Sequence, residues 1–213
     1  NMVAYQSKRA ELWCALTHSL GIIGGIAISI FFYLNYDRLE NKVLNGLSVY
    51  CFTLLFLYAA STIYHSVTSV NSKKLWQKFD HIGIYLLIAG TYTPICINLL
   101  WDSNGKLLLA LIWSIALIGS SLKIKYTGRF EKLSLFLYLA MGWLILIDIS
   151  HFLSNASFKT ILYLGLGGVA YSVGTIFYRW HKLPFHHVIW HVFVLIGSFF
   201  HLLMVEQSLK AVA

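Results

Sequence analysis

Long apolar runs follow one another along the whole chain, separated by short polar loops. Most are about 17 to 25 residues long, the length at which a helix crosses the hydrocarbon core of a bilayer. No stretch between them is long enough for a soluble domain. We therefore predict an all-α, polytopic membrane protein with one seven-helix domain over residues 1–213. The predicted helices cover residues 12–34, 43–66, 82–100, 107–122, 133–150, 160–178 and 187–205.

The composition agrees with this pattern. Of the 213 residues, 58% are hydrophobic and only 11% are charged, where a soluble domain has about 25% charged residues. Mean hydropathy is +0.70. The net charge of +8 forms no continuous basic face, so no nucleic-acid partner is expected. The first apolar run is expected to be a retained span and not a cleaved signal peptide.

Basic residues are distributed unequally between the two ends of the predicted helices. The N-terminus and the second, fourth and sixth loops carry eleven of the 16 Lys and Arg residues, and the opposite side carries five. Positive charge near helix ends is retained in the cytoplasm. We therefore predict a cytoplasmic N-terminus and an external C-terminus, and seven spans are consistent with termini on opposite sides.

The last apolar run carries three histidines, and two of them, His187 and His191, lie one helical turn apart on one face. Polar groups at membrane depth are costly, so they usually have a polar partner or a function. The spacing of these two histidines lets their ring nitrogens bind one metal ion. The pair alone is weak support, since such histidines often form hydrogen bonds with neighbouring helices.

The predicted topology brings other polar residues to the same depth. Ser61 and His65 lie near the cytoplasmic end of the second helix, and Asp80 lies just before the predicted third helix. His65, His187 and His191 would supply three nitrogen ligands to a zinc ion (Zn²⁺) and leave a fourth position for water, as in catalytic zinc sites.

The roles of the other residues near this depth are less determined by the pattern. We expect Asp80 to take a proton from water and Ser61 to orient water or a carbonyl. Asp80 as a direct ligand, or as a cap of the third helix, remains an alternative. His18 is a reserve polar partner. The three cysteines, Cys14, Cys51 and Cys96, lack the Cys-x-x-Cys spacing of thiolate zinc sites. We interpret them as small packing residues inside the helices.

Three motifs carry a family resemblance: STIYH at 61–65, FDHIGIYLLIAGTYTP at 79–94 and HVIWHVF at 187–193. With them the chain resembles the bacterial hemolysin III proteins, the prokaryotic branch of the seven-helix superfamily that includes the progestin and adiponectin receptors. The resemblance extends from Glu11 to His201. It implies a zinc ion near the cytoplasmic side, surrounded by the Ser61, His65, Asp80, His187 and His191 positions.

The resemblance implies a bacterial plasma (inner) membrane protein concerned with membrane lipid homeostasis, with membrane lipids as its partners. The leading hypothesis is a zinc-dependent, ceramidase-like hydrolase of a lipid amide or ester. One alternative is a non-catalytic sensor or regulator with structural zinc. Another is a cytolytic pore, which is the least favoured because the polar residues gather at one depth and do not line a path across the bilayer. The sequence leaves the substrate and the oligomeric state open.

Overall fold

The computed structural model describes residues 7–213 and contains helices but no strand in that range. Seven helical segments are long and apolar enough to cross a membrane, as the sequence predicts. Their bounds, in chain order, are α1 Lys8–Tyr36, α2 Asn41–Ser66, α3 Val70–Leu99, α4 Gly105–Tyr126, α5 Glu131–Gly142 continued by a 3₁₀ turn Leu144–Asp148 and α6 Ile149–Asn155, α7 Phe158–Arg179, and α8 His186–Lys210.

The third helix begins at Val70, twelve residues before the predicted start. The Ser69 hydroxyl caps it by accepting a hydrogen bond from the backbone N–H of Ser72 at 3.2 Å. The added turns contain several lysines, and hydropathy alone cannot distinguish such a polar helical segment from a loop. This difference matters because it places Asp80 well inside the helix.

The fifth span is interrupted near its middle. After Gly142 the backbone tightens into the 3₁₀ turn. The hydroxyl of Tyr92 on α3 forms hydrogen bonds with backbone groups on both sides of this interruption. It donates to the carbonyl of Gly142 at 3.0 Å and accepts from the backbone N–H of Ile145 at 2.8 Å. An interrupted helix at membrane depth needs such partners for its freed backbone groups.

Helix α3 is the most buried of the seven spans and lies at the centre of the bundle. It packs against α2, α4 and α8, while α1 lies against α2 and α8, and α7 against α8. The start of α1, the end of α2 and the starts of α3 and α8 therefore meet at one end. Large apolar side chains such as Leu20, Ile23 and Phe136 remain exposed on the outside, as expected for surfaces that face lipid. The chain is a multi-pass membrane protein, and the side on which each terminus lies stays a prediction.

Candidate metal centre

Four potential metal ligands converge at the end of the bundle where α1, α2 and α8 meet. The Sγ atom of Cys14 and one ring nitrogen each of His65, His187 and His191 all lie within 4.8 Å of one another. The three histidines are those the sequence predicts, and Cys14 is an addition. The ring centroids of His65 and His187 each lie 4.8 Å from that of His191. The cluster could hold a metal ion.

His65 is oriented by a carboxylate from α1. Its Nδ1 lies 2.7 Å from Oε2 of Glu11, so Nδ1–H donates to the carboxylate and Nε2 keeps its lone pair. That Nε2 is buried and has no hydrogen-bond partner within residues 7–213. A carboxylate that fixes the tautomer of a histidine in this way is a common support for a metal ligand.

Lys73 balances the charge of Glu11. Its Nζ donates to Oε2 of Glu11 at 2.6 Å and to the carbonyl oxygen of Tyr64 at 2.9 Å, and it lies 4.4 Å from the centre of the Tyr64 ring. The side chain of Lys73 is only 2% exposed. The lysine therefore connects α1 to the end of α2, next to His65.

Replacing Glu11 with alanine is expected to weaken metal binding about 10- to 100-fold, because His65 loses the group that orients it. Competition with a chromophoric chelator on the folded, purified protein measures this change. Glu40→Ala removes an exposed acid and serves as the control. Equal affinities for the two variants would show that Glu11 does not support the site.

His191 is held from α1 as well. Its Nδ1 lies 3.3 Å from the carbonyl oxygen of Cys14 and 3.5 Å from the hydroxyl of Thr17. Its ring stacks on that of His18, with centroids 3.6 Å apart and planes at 12°. His18, expected as a reserve polar partner, has both ring nitrogens buried without a hydrogen-bond partner in the described part of the chain. His18 instead supports the ring of His191.

Asp80 faces the cluster from α3. Together with His18, His187 and His191 it lines a cavity of about 30 Å³, which is large enough for a water molecule. The alternative that Asp80 caps α3 is wrong, because the helix starts at Val70 and Asp80 lies almost three turns inside it.

Ser61 is fully buried one turn before His65 on α2. Its hydroxyl has no hydrogen-bond partner among residues 7–213. Ser61 is not among the described residues that line the small cavity. Its expected role in orienting water or a carbonyl stays a prediction.

The donor set fits a metal ion. A tetrahedral ion with bonds of about 2.0–2.3 Å to nitrogen and sulfur holds its ligands roughly 3.3–3.7 Å apart. The four atoms, at up to 4.8 Å, need a contraction of about 1 Å, which side-chain rotation can supply. The unpartnered Nε2 atoms of His65 and His187 are the kind of buried donor that such an ion would satisfy.

A larger apolar cavity adjoins the small one. It has a volume of about 270 Å³ and is lined mainly by aliphatic and aromatic side chains of α3, α5, α7 and α8. The residues that border both cavities are Leu57, Ile84, Tyr138, Trp190 and Val194. The two cavities therefore meet at these five side chains.

The sequence is similar to known proteins over most of its length. A family described as "Haemolysin-III related" matches residues 6–202. A "Hemolysin-3 homolog" from Bacillus subtilis is 42% identical over 89% of this chain and 90% of the relative. "Hemolysin-3" from Bacillus cereus is 40% identical over 91% of this chain and 89% of its own.

More distant similarity reaches animal proteins. The human "Monocyte to macrophage differentiation factor" is 27% identical over 87% of this chain and 78% of its own. No solved structure matches the chain. These findings confirm the resemblance drawn from the three motifs.

Proposed function

The chain belongs to the haemolysin-III-related family, and on that premise we propose that it is a zinc-dependent hydrolase of a lipid amide or ester in the bacterial inner membrane. The observation that carries the proposal is the apolar cavity of about 270 Å³ that borders the polar cavity at the histidine cluster. It provides room for an acyl chain beside groups suited to hydrolysis.

His65, His187 and His191 would hold the zinc ion. When bound, zinc supplies Lewis acidity toward a carbonyl oxygen and acidifies water. Asp80, buried beside His187 and His191, would take the proton of the water that attacks the carbonyl carbon. The bond from that carbon to nitrogen or oxygen then breaks, and the amine or alcohol leaves with the proton that Asp80 returns.

The direct test is turnover by purified protein loaded with zinc. A panel of a ceramide, a simple acyl amide and a phospholipid ester in mixed micelles covers the proposed substrate class. We expect release of fatty acid from at least one of them, abolished by a chelator and restored by zinc. Absence of release from all three at full zinc occupancy would reject the hydrolase.

The cavity yields a second prediction. Gly168 lines it, and a Cβ atom there would meet only the Trp143 ring, at 4.0 Å, so Gly168→Leu should fold while filling part of the space. We expect KM to rise several-fold for long-chain substrates and to change little for short ones. Gly24→Leu, also into open space but on the exposed face of α1, is the control. Equal effects on both chain lengths would count against the cavity as the acyl site.

One observation favours a second function. With Cys14 the cluster offers four protein ligands, and four-coordinate zinc sites without an open position are usually structural. The protein would then be a sensor or regulator in which zinc joins α1, α2 and α8. In that case Asp80→Ala preserves the biological function while His191→Ala destroys folding.

A further inference from the structure

Cys14 lies on a face of α1 directed at the histidine cluster. Glu11, Cys14 and His18 follow at intervals of three and four residues, which places them on one side of a helix. Glu11 contacts His65 at 2.7 Å and His18 stacks on His191 at 3.6 Å. The residue between them therefore points toward the same centre.

The backbone of Cys14 also contacts His191, one of the proposed metal ligands. Its carbonyl oxygen lies 3.3 Å from Nδ1 of His191, which leaves Nε2 of that ring for the ion. The side chain of Cys14 is fully buried, and its Sγ lies within 4.8 Å of the ligand atoms of all three histidines. Among the described residues, Cys51 and Cys96 do not belong to this cluster.

From this geometry we propose that Cys14 is a ligand of the resting metal centre, which is then a one-cysteine, three-histidine site. The inference rests on the proposed function for the presence of a bound metal, but not on hydrolysis. Thiolate favours zinc and cobalt over magnesium, calcium or manganese.

The charge balance supports a thiolate ligand. Three neutral imidazoles leave a divalent ion with its full charge in a buried site, where Asp80 offers one negative charge and a Cys14 thiolate would offer a second. On metal binding the Cys14 thiol loses its proton to solvent and forms the metal–sulfur bond, and one negative charge enters the site. For hydrolysis, water or a substrate carbonyl would need a coordination position beside Cys14 or in its place.

Cobalt substitution tests the proposal without any assay of activity. The full-length protein is stripped of metal and loaded with Co²⁺, and its near-ultraviolet spectrum is recorded. We expect a sulfur-to-cobalt charge-transfer band in the wild type that is lost in Cys14→Ser. Cys51→Ser and Cys96→Ser, which alter the other two buried or half-buried thiols, should retain the band.

X-ray absorption of the zinc-loaded wild type provides a readout that does not depend on the folding of a variant. We expect one sulfur at about 2.3 Å. A full equivalent of metal with only nitrogen and oxygen neighbours would overturn the assignment of Cys14 and leave the proposed function standing. Failure of the wild type to bind zinc or cobalt would overturn both.

Discussion

Asp80→Asn is expected to lower the rate of lipid hydrolysis by about 100- to 10,000-fold while leaving the metal content unchanged. Asp80 is 7% exposed and lines the cavity shared with His187 and His191. An amide of the same size fills the same space but cannot accept the proton of the attacking water. The measurements are kcat on whichever lipid of the panel is cleaved and the zinc content of the same sample.

The loss should be in kcat and kcat/KM together, because the carboxylate acts in the transition state and not in binding. Asp102→Asn alters an exposed acid in the loop after α3 and should keep wild-type kinetics. Unchanged turnover in Asp80→Asn would remove this residue from the mechanism. Loss of zinc along with activity would instead identify Asp80 as a ligand.

Lys73→Met is expected to lower the free energy of unfolding by about 3–5 kcal/mol, because it leaves the Glu11 carboxylate without its buried cationic partner. The lysine also donates a hydrogen bond to the carbonyl oxygen of Tyr64 at 2.9 Å, and the variant removes this hydrogen bond at the end of α2. Unfolding of the purified protein in detergent, followed by circular dichroism, measures the effect.

Lys74 provides a matched control, since it is the next residue on α3 and is exposed. Lys74→Met should change stability by well under 1 kcal/mol. Adding Glu11→Gln to Lys73→Met should restore part of the lost stability, because the unpaired charge is removed. If Lys73→Met proves as stable as Lys74→Met, the ion pair has no structural role.

Hydropathy and spacing were sufficient to predict the seven spans and the convergence of His65 with His187 and His191. Both follow from rules that act along one helix: the length that crosses a bilayer, and the turn that aligns residues four apart. The alternation of helix directions then assigns a depth to each polar residue, which brought Asp80 close to the histidines.

The contributions of α1 were not predictable in the same way. Cys14 is a small residue in an apolar run, and only the rotation of α1 about its axis, which packing against α2 and α8 determines, turns it toward the histidines. Glu11 near a helix start is most simply an interfacial acid. Its partner Lys73 is 62 residues away and lies in a polar turn that hydropathy leaves outside the helix. The signals in the sequence were the depth of His18 and the spacing of three and four residues from Glu11 through Cys14 to His18.

The histidine cluster is tested most directly by elemental analysis of the purified wild type beside a His187→Ala, His191→Ala double variant. The proposed function predicts one equivalent of zinc in the wild type and almost none in the variant, with both proteins monodisperse in detergent. Zinc in both samples at the same level, or a wild type that binds no metal after exposure to zinc, would contradict a metal centre at the meeting point of α1, α2 and α8.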